Sequence, residues 1–138
     1  MTYYAVIDTN VVISSMLKRS SVPGQVMDLA VSGKIIPLLN DEILTEYKEV
    51  LSRNNFGFEE SAINDLIDLL RESGIFLERT ATEEDFPDPD DAVFYEIVMT
   101  ARDVTDAYLV TGNIKHFPTK PFVVTPREML DIIFDSTE

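Results

Sequence analysis

The stretch Tyr3-Tyr4-Ala5-Val6-Ile7-Asp8-Thr9-Asn10 passes directly from five apolar or aromatic residues to three polar ones. A short apolar run of this kind is typical of a buried strand. Asp8 then follows the strand at its carboxyl end, which is where open parallel sheets place their ligand sites. The simpler alternative is that Asp8 only caps the helix that comes next.

Apolar runs and helical periods alternate along the rest of the chain. We predict strands over residues 3–7, 35–39, 75–77, 107–110 and 122–124. We predict helices over residues 10–18, 23–33, 41–51, 59–73, 91–102 and 126–134. Pro37 indicates an edge strand or a strand end. This alternation predicts an α/β fold with a mostly parallel central sheet flanked by helices.

Length and composition limit the possible classes of protein. A chain of 138 residues with 45% apolar residues is expected to form one domain, over residues 1–138, with the last few residues as a tail. The absence of cysteine excludes disulfides and thiolate metal sites, and a single histidine argues against a histidine-rich zinc site. No signal-peptide pattern or membrane-length apolar run is visible, so we expect a cytoplasmic protein and no membrane contact.

The net charge of −14 favours cations or a basic protein as partners. Nucleic-acid-binding proteins usually carry a basic face instead. Solubility alone would explain most of the 25 acidic residues.

Two further groups of acids stand at positions that suit a site. Glu46 borders the apolar stripe of its helix, where a half-buried carboxylate needs a partner, although a solvated glutamate at the rim is the alternative. Asp88, Asp90 and Asp91 stand at the start of another helix. Capping explains one acid there better than three. We choose Asp91 for the site, ahead of Asp90.

Two of the polar residues that follow the apolar run 107–110 are candidates for the site. Asn113, in Thr111-Gly112-Asn113, either joins the site or only shapes a turn. His116 is a lone histidine in a loop, where a structural hydrogen bond is the simpler interpretation. If the sheet is parallel, the turn that holds Asn113 and the acids meet at one edge, and carboxylates that converge there need a cation. Oxygen ligands of this kind suit Mg²⁺ or Mn²⁺.

The ordered set of motifs resembles the PIN-domain family, and within it the branch of toxins from toxin–antitoxin systems (VapC-like ribonucleases). The similarity runs from Tyr4 to about Pro126. The motifs that carry it are Asp8-Thr9-Asn10, Ile43-Leu44-Thr45-Glu46-Tyr47, Asp88-Pro89-Asp90-Asp91-Ala92-Val93-Phe94 and the run Tyr108–Pro118, which contains Thr-Gly-Asn-Ile-Lys-His-Phe-Pro.

This resemblance implies a three-layer Rossmann-like fold and a metal-dependent ribonuclease, often a homodimer. It implies that Asp8, Glu46 and Asp91 are the first three acids of the metal site. Asn113 stands where many members carry a fourth acid, which brings an oxygen ligand without a charge and bears on whether one metal binds or two. Supporting roles would fall to Thr9, Asn10, Asp90 and Thr111. The acidic pocket and the net charge predict an antitoxin that is small and basic where it binds.

Three other classes of protein are alternatives to the ribonuclease. A response-regulator receiver domain needs paired acids after the first strand and an aspartate after the third, but the third strand runs into Glu78-Arg79. A haloacid-dehalogenase phosphatase needs Asp-x-Asp, where this chain has Asp8-Thr9-Asn10. A PIN-like scaffold that binds a protein or RNA partner without cutting stays open, because Asn113 departs from the pattern of four acids.

Overall fold

Within residues 1–135, which the computed structural model describes, five strands form one central sheet. The predicted C-terminal tail lies outside this range. Every strand pairing is parallel, so the sheet is parallel throughout rather than mostly so. The strands are β1 (Tyr3–Ile7), β2 (Ile35–Leu39), β3 (Ile75–Phe76), β4 (Ala107–Val110) and β5 (Val123–Val124).

Six α-helices flank the sheet in the same part of the chain. They are α1 (Thr9–Leu17), α2 (Val22–Ser32), α3 (Asp41–Leu51), α4 (Glu60–Ser73), α5 (Ala92–Arg102) and α6 (Pro126–Asp135). Short 3-10 turns cover Pro89–Asp91 and Ile114–His116. None of these helices is both long and apolar enough to cross a membrane. The predicted α/β architecture is confirmed.

The strand order β3-β2-β1-β4-β5 determines where a ligand site is expected on this sheet. The chain builds outward from β1 to β2 and β3 on one side, and then crosses to β4 and β5 on the other. The order therefore reverses between β1 and β4, which pair up to Ile7 and Val110. Ligands of open parallel sheets bind outside the carboxyl ends of the strands at such a reversal. Asp8 and Thr111 are the residues that follow β1 and β4 there.

Local sequence signals account for where the helices begin and end. Asn40 caps α3, because its side-chain oxygen accepts a 2.8 Å hydrogen bond from the backbone N–H of Ile43. Ser21 caps α2 through the N–H of Gly24 at 3.2 Å. Gly33 ends α2 with φ 91°, a left-handed conformation that a side chain would disfavour. The predicted helices appear within one or two residues of their expected bounds.

The interpretation of Pro37 was wrong. It is the middle residue of β2, and β2 lies between β1 and β3 rather than at an edge. The pairing with β3 begins only at Leu38, so Pro37 precedes that ladder. A proline in an interior strand is tolerated here because β3 is too short to demand a hydrogen bond from it.

The start of α5 also differs in detail from the prediction. The helix begins at Ala92, after the 3-10 turn that contains Asp91. Asp88 caps this turn, since its Oδ1 accepts a 3.0 Å hydrogen bond from the N–H of Asp90. Capping therefore accounts for Asp88, and Asp91 is available for another role.

Gly74 is required by the close approach of β3 to β2. A Cβ at Gly74 would lie 2.4 Å from Leu39 Cδ1, 2.8 Å from the Leu70 carbonyl oxygen and 2.9 Å from that of Pro37. We expect Gly74→Ala to lower the free energy of unfolding by about 1–3 kcal/mol, because two of these atoms are backbone. Chemical denaturation measures this change. Gly112→Ala is the control, since a Cβ there has its nearest contact at 3.4 Å; equal losses would contradict the steric argument.

Candidate metal centre

Asp8 is a buried carboxylate at the carboxyl end of the central strand. It is 6% exposed. Its Oδ1 accepts a 2.8 Å hydrogen bond from the N–H of Thr9, and its Oδ2 accepts bonds from Asn10 Nδ2 at 3.0 Å and Thr111 Oγ1 at 2.8 Å. Asp8 is therefore the cap residue of α1, as the simpler interpretation had it. Capping does not account for the hydrogen bond that Oδ2 accepts from Thr111, which follows the neighbouring strand β4.

The turn after β4 is fastened to the start of α1. Asn10 Oδ1 accepts a 3.1 Å hydrogen bond from the N–H of Gly112. Thr111 Oγ1, which donates to Asp8, also accepts from the N–H of Asn113 at 3.0 Å. These bonds bring Asn113 to the edge that carries Asp8. The Asn113 side chain is half-buried and does not cap the 3-10 turn that it precedes.

Glu46 reaches the same edge from α3. It is half-buried, and its Oε2 accepts a short hydrogen bond from the hydroxyl of Thr9. The predicted need for a partner is therefore met by the residue next to Asp8. Thr9 and Asn10, expected as supporting residues, both contact a carboxylate of the predicted site.

Tyr47 is a residue whose role the sequence interpretation missed. It is 1% exposed, and its hydroxyl donates a short hydrogen bond to the carbonyl oxygen of Ile7. Because Ile7 precedes Asp8 and Tyr47 follows Glu46, this bond fixes α3 against the end of β1. The available signal was a tyrosine in the apolar stripe of α3, since a buried tyrosine hydroxyl usually finds a partner.

Asp91 has a buried oxygen without a hydrogen-bond donor. Its side chain is 15% exposed, and Oδ2 makes no hydrogen bond within residues 1–135. His116 Nδ1 lies 3.3 Å from Oδ2 without the alignment of a hydrogen bond. His116 therefore pairs with a predicted ligand. Asp90 is exposed.

Burial raises the pKa of all three carboxylates, and the charge of a neighbouring acid raises each of them further. Burial, aided by the charge of Asp91, raises the pKa of Asp8 from 3.8 to about 6, against the lowering effect of the Thr111 hydrogen bond. Burial also raises the pKa of Glu46, with a contribution from Asp8. Burial and then the charges of Asp88 and Glu46 raise the pKa of Asp91, which His116 partly offsets. The predicted acids therefore share one electrostatic environment.

The chemistry of these groups fits a divalent metal, although the ligands do not close around one point. Carboxylate oxygens are the ligands that Mg²⁺ and Mn²⁺ prefer, and Oδ2 of Asp91 is a buried acceptor that makes no hydrogen bond within residues 1–135, with His116 Nδ1 3.3 Å away. Across residues 1–135, no three aspartate, glutamate or histidine side chains are close enough to hold one ion. Carboxylates gathered at one edge repel one another, and a cation bound among them would relieve that repulsion.

Tyr47→Phe tests how α3 is held against β1. We expect the free energy of unfolding to fall by about 1 kcal/mol, because the Ile7 carbonyl loses its partner while the shape is kept. Divalent-metal affinity should fall as well, since Glu46 is no longer fixed relative to Asp8. Denaturation and metal titration measure the two effects. The control is Tyr95→Phe, because the Tyr95 ring is buried while its hydroxyl is not fully buried and bonds to no residue in the range 1–135; similar effects in both variants would contradict this role.

The pKa of Asp8 predicts a pH dependence of metal-free stability. Its pKa is 3.8 ordinarily and about 6 in the folded chain, so between these values the folded chain holds a proton that the unfolded chain has lost. The stability from this proton is fully present below the lower value and is lost as pH rises through the higher one. The total loss is roughly 3 kcal/mol, with roughly 1 kcal/mol of it between pH 5 and pH 7. Urea unfolding with a chelator should show a shallower decline for Asp8→Asn; parallel declines would contradict the shift.

A family model described as a PIN domain matches residues 4–115. The match spans most of the chain and includes Asp8, Glu46, Asp91 and Asn113. A search of curated proteins finds no match. PIN domains are generally metal-dependent nucleases. The five-stranded parallel sheet and its flanking helices agree with this match, and the chain belongs to the PIN-domain family.

Proposed function

We propose that this chain is a ribonuclease that hydrolyses RNA phosphodiester bonds with Mg²⁺ or Mn²⁺. The observation that carries this proposal is the coupled set of Asp8, Glu46 and Asp91, each with a raised pKa, at the strand-order reversal of a PIN domain. Carboxylates with raised pKa values gathered in one place mark candidate functional sites, and here the family supplies the matching chemistry.

Each residue has a separate part in this proposal. Asp8, Glu46 and Asp91 would hold the metal, and Asn113 would add a neutral oxygen. A bound divalent ion would lower the pKa of a water molecule and stabilise the negative charge that develops on the phosphate. Thr9 orients Glu46, while Asn10 and Thr111 orient Asp8. These hydroxyl and amide donors are the outer hydrogen bonds on which the geometry of a metal site depends.

We further propose the finer biological role of a toxin in a toxin–antitoxin pair. The support is the order of motifs together with the net charge of −14, which favours a small basic antitoxin. An arginine or lysine of that partner would pair with the carboxylates in place of metal. The homodimer and the cytoplasmic location stay predictions.

One observation favours a second candidate, a PIN-domain scaffold that binds RNA or a protein without cutting. Within residues 1–135, no three acidic or histidine side chains lie close enough together to hold an ion. Asn113, at the position of a fourth acid, carries no charge. This candidate differs from the ribonuclease in one measurable way, because it predicts no metal-dependent cleavage.

Asp8→Asn separates the two candidates. We expect the parent to cut RNA with Mg²⁺ or Mn²⁺ and the variant to lose more than about 100-fold in rate, since a direct ligand matters more than an outer hydrogen bond. Its metal-free stability should equal or exceed that of the parent near neutral pH, because repulsion is relieved. Gel-based cleavage and thermal melts measure both effects.

The matched control for this test is Asp131→Asn, an exposed aspartate on α6, which should cut like the parent. Cleavage by Asp8→Asn at the parent rate would remove Asp8 from the site. A parent that binds RNA but never cuts it with either metal would favour the scaffold.

A further inference from the structure

The edge that carries the site has an acidic side. A cleft of about 410 Å³ adjoins Glu46 between α3 and the start of α5. It is lined by Asp41, Glu42, Thr45, Glu46, Glu49, Asp90 and Val93. A phosphate entering this cleft would meet several carboxylates at short range, and the cleft therefore repels an RNA backbone.

The arginines on this acidic side are already paired with carboxylates. Arg79 donates to Glu42 Oε2 at 2.8 Å and to Glu96 Oε1 at 2.7 Å. Arg71 NH1 lies 3.9 Å from Asp41 Oδ1. Binding a phosphate there would mean breaking these pairs or sharing them with a new anion. The two arginines on the β2–β3 side of the edge therefore offer RNA no unpaired positive charge.

The β4–β5 side has the opposite character. Lys115 lies in the 3-10 turn after β4, and Arg127 lies in the first turn of α6, directly after β5. Both are exposed, and neither has an ion-pair partner in the range 1–135. Because β4 and β5 are parallel to β1, their carboxyl ends place these cations at the edge that carries Asp8.

Both cations are adjacent in sequence to residues that lie at the site. His116, next to Lys115, is 3.3 Å from Asp91 Oδ2. Pro126, next to Arg127, lines a crevice of about 210 Å³ whose wall includes Asn10 and Gly112, the pair that fastens the turn after β4 to α1. The backbone at Lys115 therefore lies near Asp91, and the backbone at Arg127 lies near the Asn10 side of the centre.

We propose that the RNA strand crosses the β4–β5 side of the edge, where Lys115 and Arg127 each contact a phosphate outside the bond that is cut. This inference rests on the proposed ribonuclease function and adds the path of the substrate to it. Phosphate contacts of this kind position a strand without reading its sequence. The path also explains how a chain with a net charge of −14 can bind RNA, because it avoids the acidic cleft.

The test compares Lys115→Gln, Arg127→Gln and the double variant with the parent in cleavage of a single-stranded RNA over a salt series. We expect KM to rise severalfold with kcat unchanged. The dependence of log KM on log salt concentration should weaken by about 0.7 for each cation removed, because each contact with a single strand releases that share of counterions. Lys115→Arg keeps the charge and should restore the parent slope.

The matched controls are Lys18→Gln and Arg53→Gln. Both residues are exposed and lie just past the ends of α1 and α3, far along helices that begin at the site edge. They should leave KM and the salt slope as in the parent.

Two outcomes would overturn the path, and they are distinguishable. If the parent cuts RNA and the double variant keeps its KM and salt slope, the path is wrong while the ribonuclease stands. If the parent does not cut RNA with Mg²⁺ or Mn²⁺, the proposed function fails, and the path fails with it.

Discussion

A buried carboxylate next to the central strand is the constraint on which the site depends. Removing Asp8 from water disfavours its charged form, as its raised pKa shows. The charge is supported by three donors, Thr9 N–H, Asn10 Nδ2 and Thr111 Oγ1. Two of them come from the start of α1 and the third comes from the end of β4. Stabilising this one carboxylate therefore joins the two strand ends between which the sheet order reverses.

Much of the fold was predictable because its signals are local. The apolar runs, the Asn40 cap and the stop at Gly33 act within a few residues of where they appear. Pro37 was misplaced because the length of its neighbouring strand, β3, is not encoded near it. Whether β2 must donate a hydrogen bond at Pro37 depends on where β3 begins, nearly 40 residues further along the chain.

The sequence indicated which residues to place in the candidate site, but not which of them make contact. Position after a strand favoured Asp8, the excess of acids at a helix start favoured Asp91, and the ordered motifs supported both together with Glu46. The hydrogen bonds that relate them join residues separated by 37, 40 and 103 positions, namely Thr9 with Glu46, Ile7 with Tyr47 and Asp8 with Thr111. A sequence pattern shows which residues can make such bonds but not which pairs meet. For the same reason it predicted convergence of the acids and could not give their spacing.

An amide at position 113 suits the electrostatics of this site, although many PIN domains carry a fourth acid there. Its N–H is bonded to the hydroxyl that donates to Asp8, so a charge at Asn113 would act close to a carboxylate whose pKa is already about 6. A fourth carboxylate there would raise that pKa further and destabilise the metal-free chain. An amide offers a similar oxygen without this repulsion. If Asn113 is a ligand, it exchanges some attraction for the metal for stability in its absence.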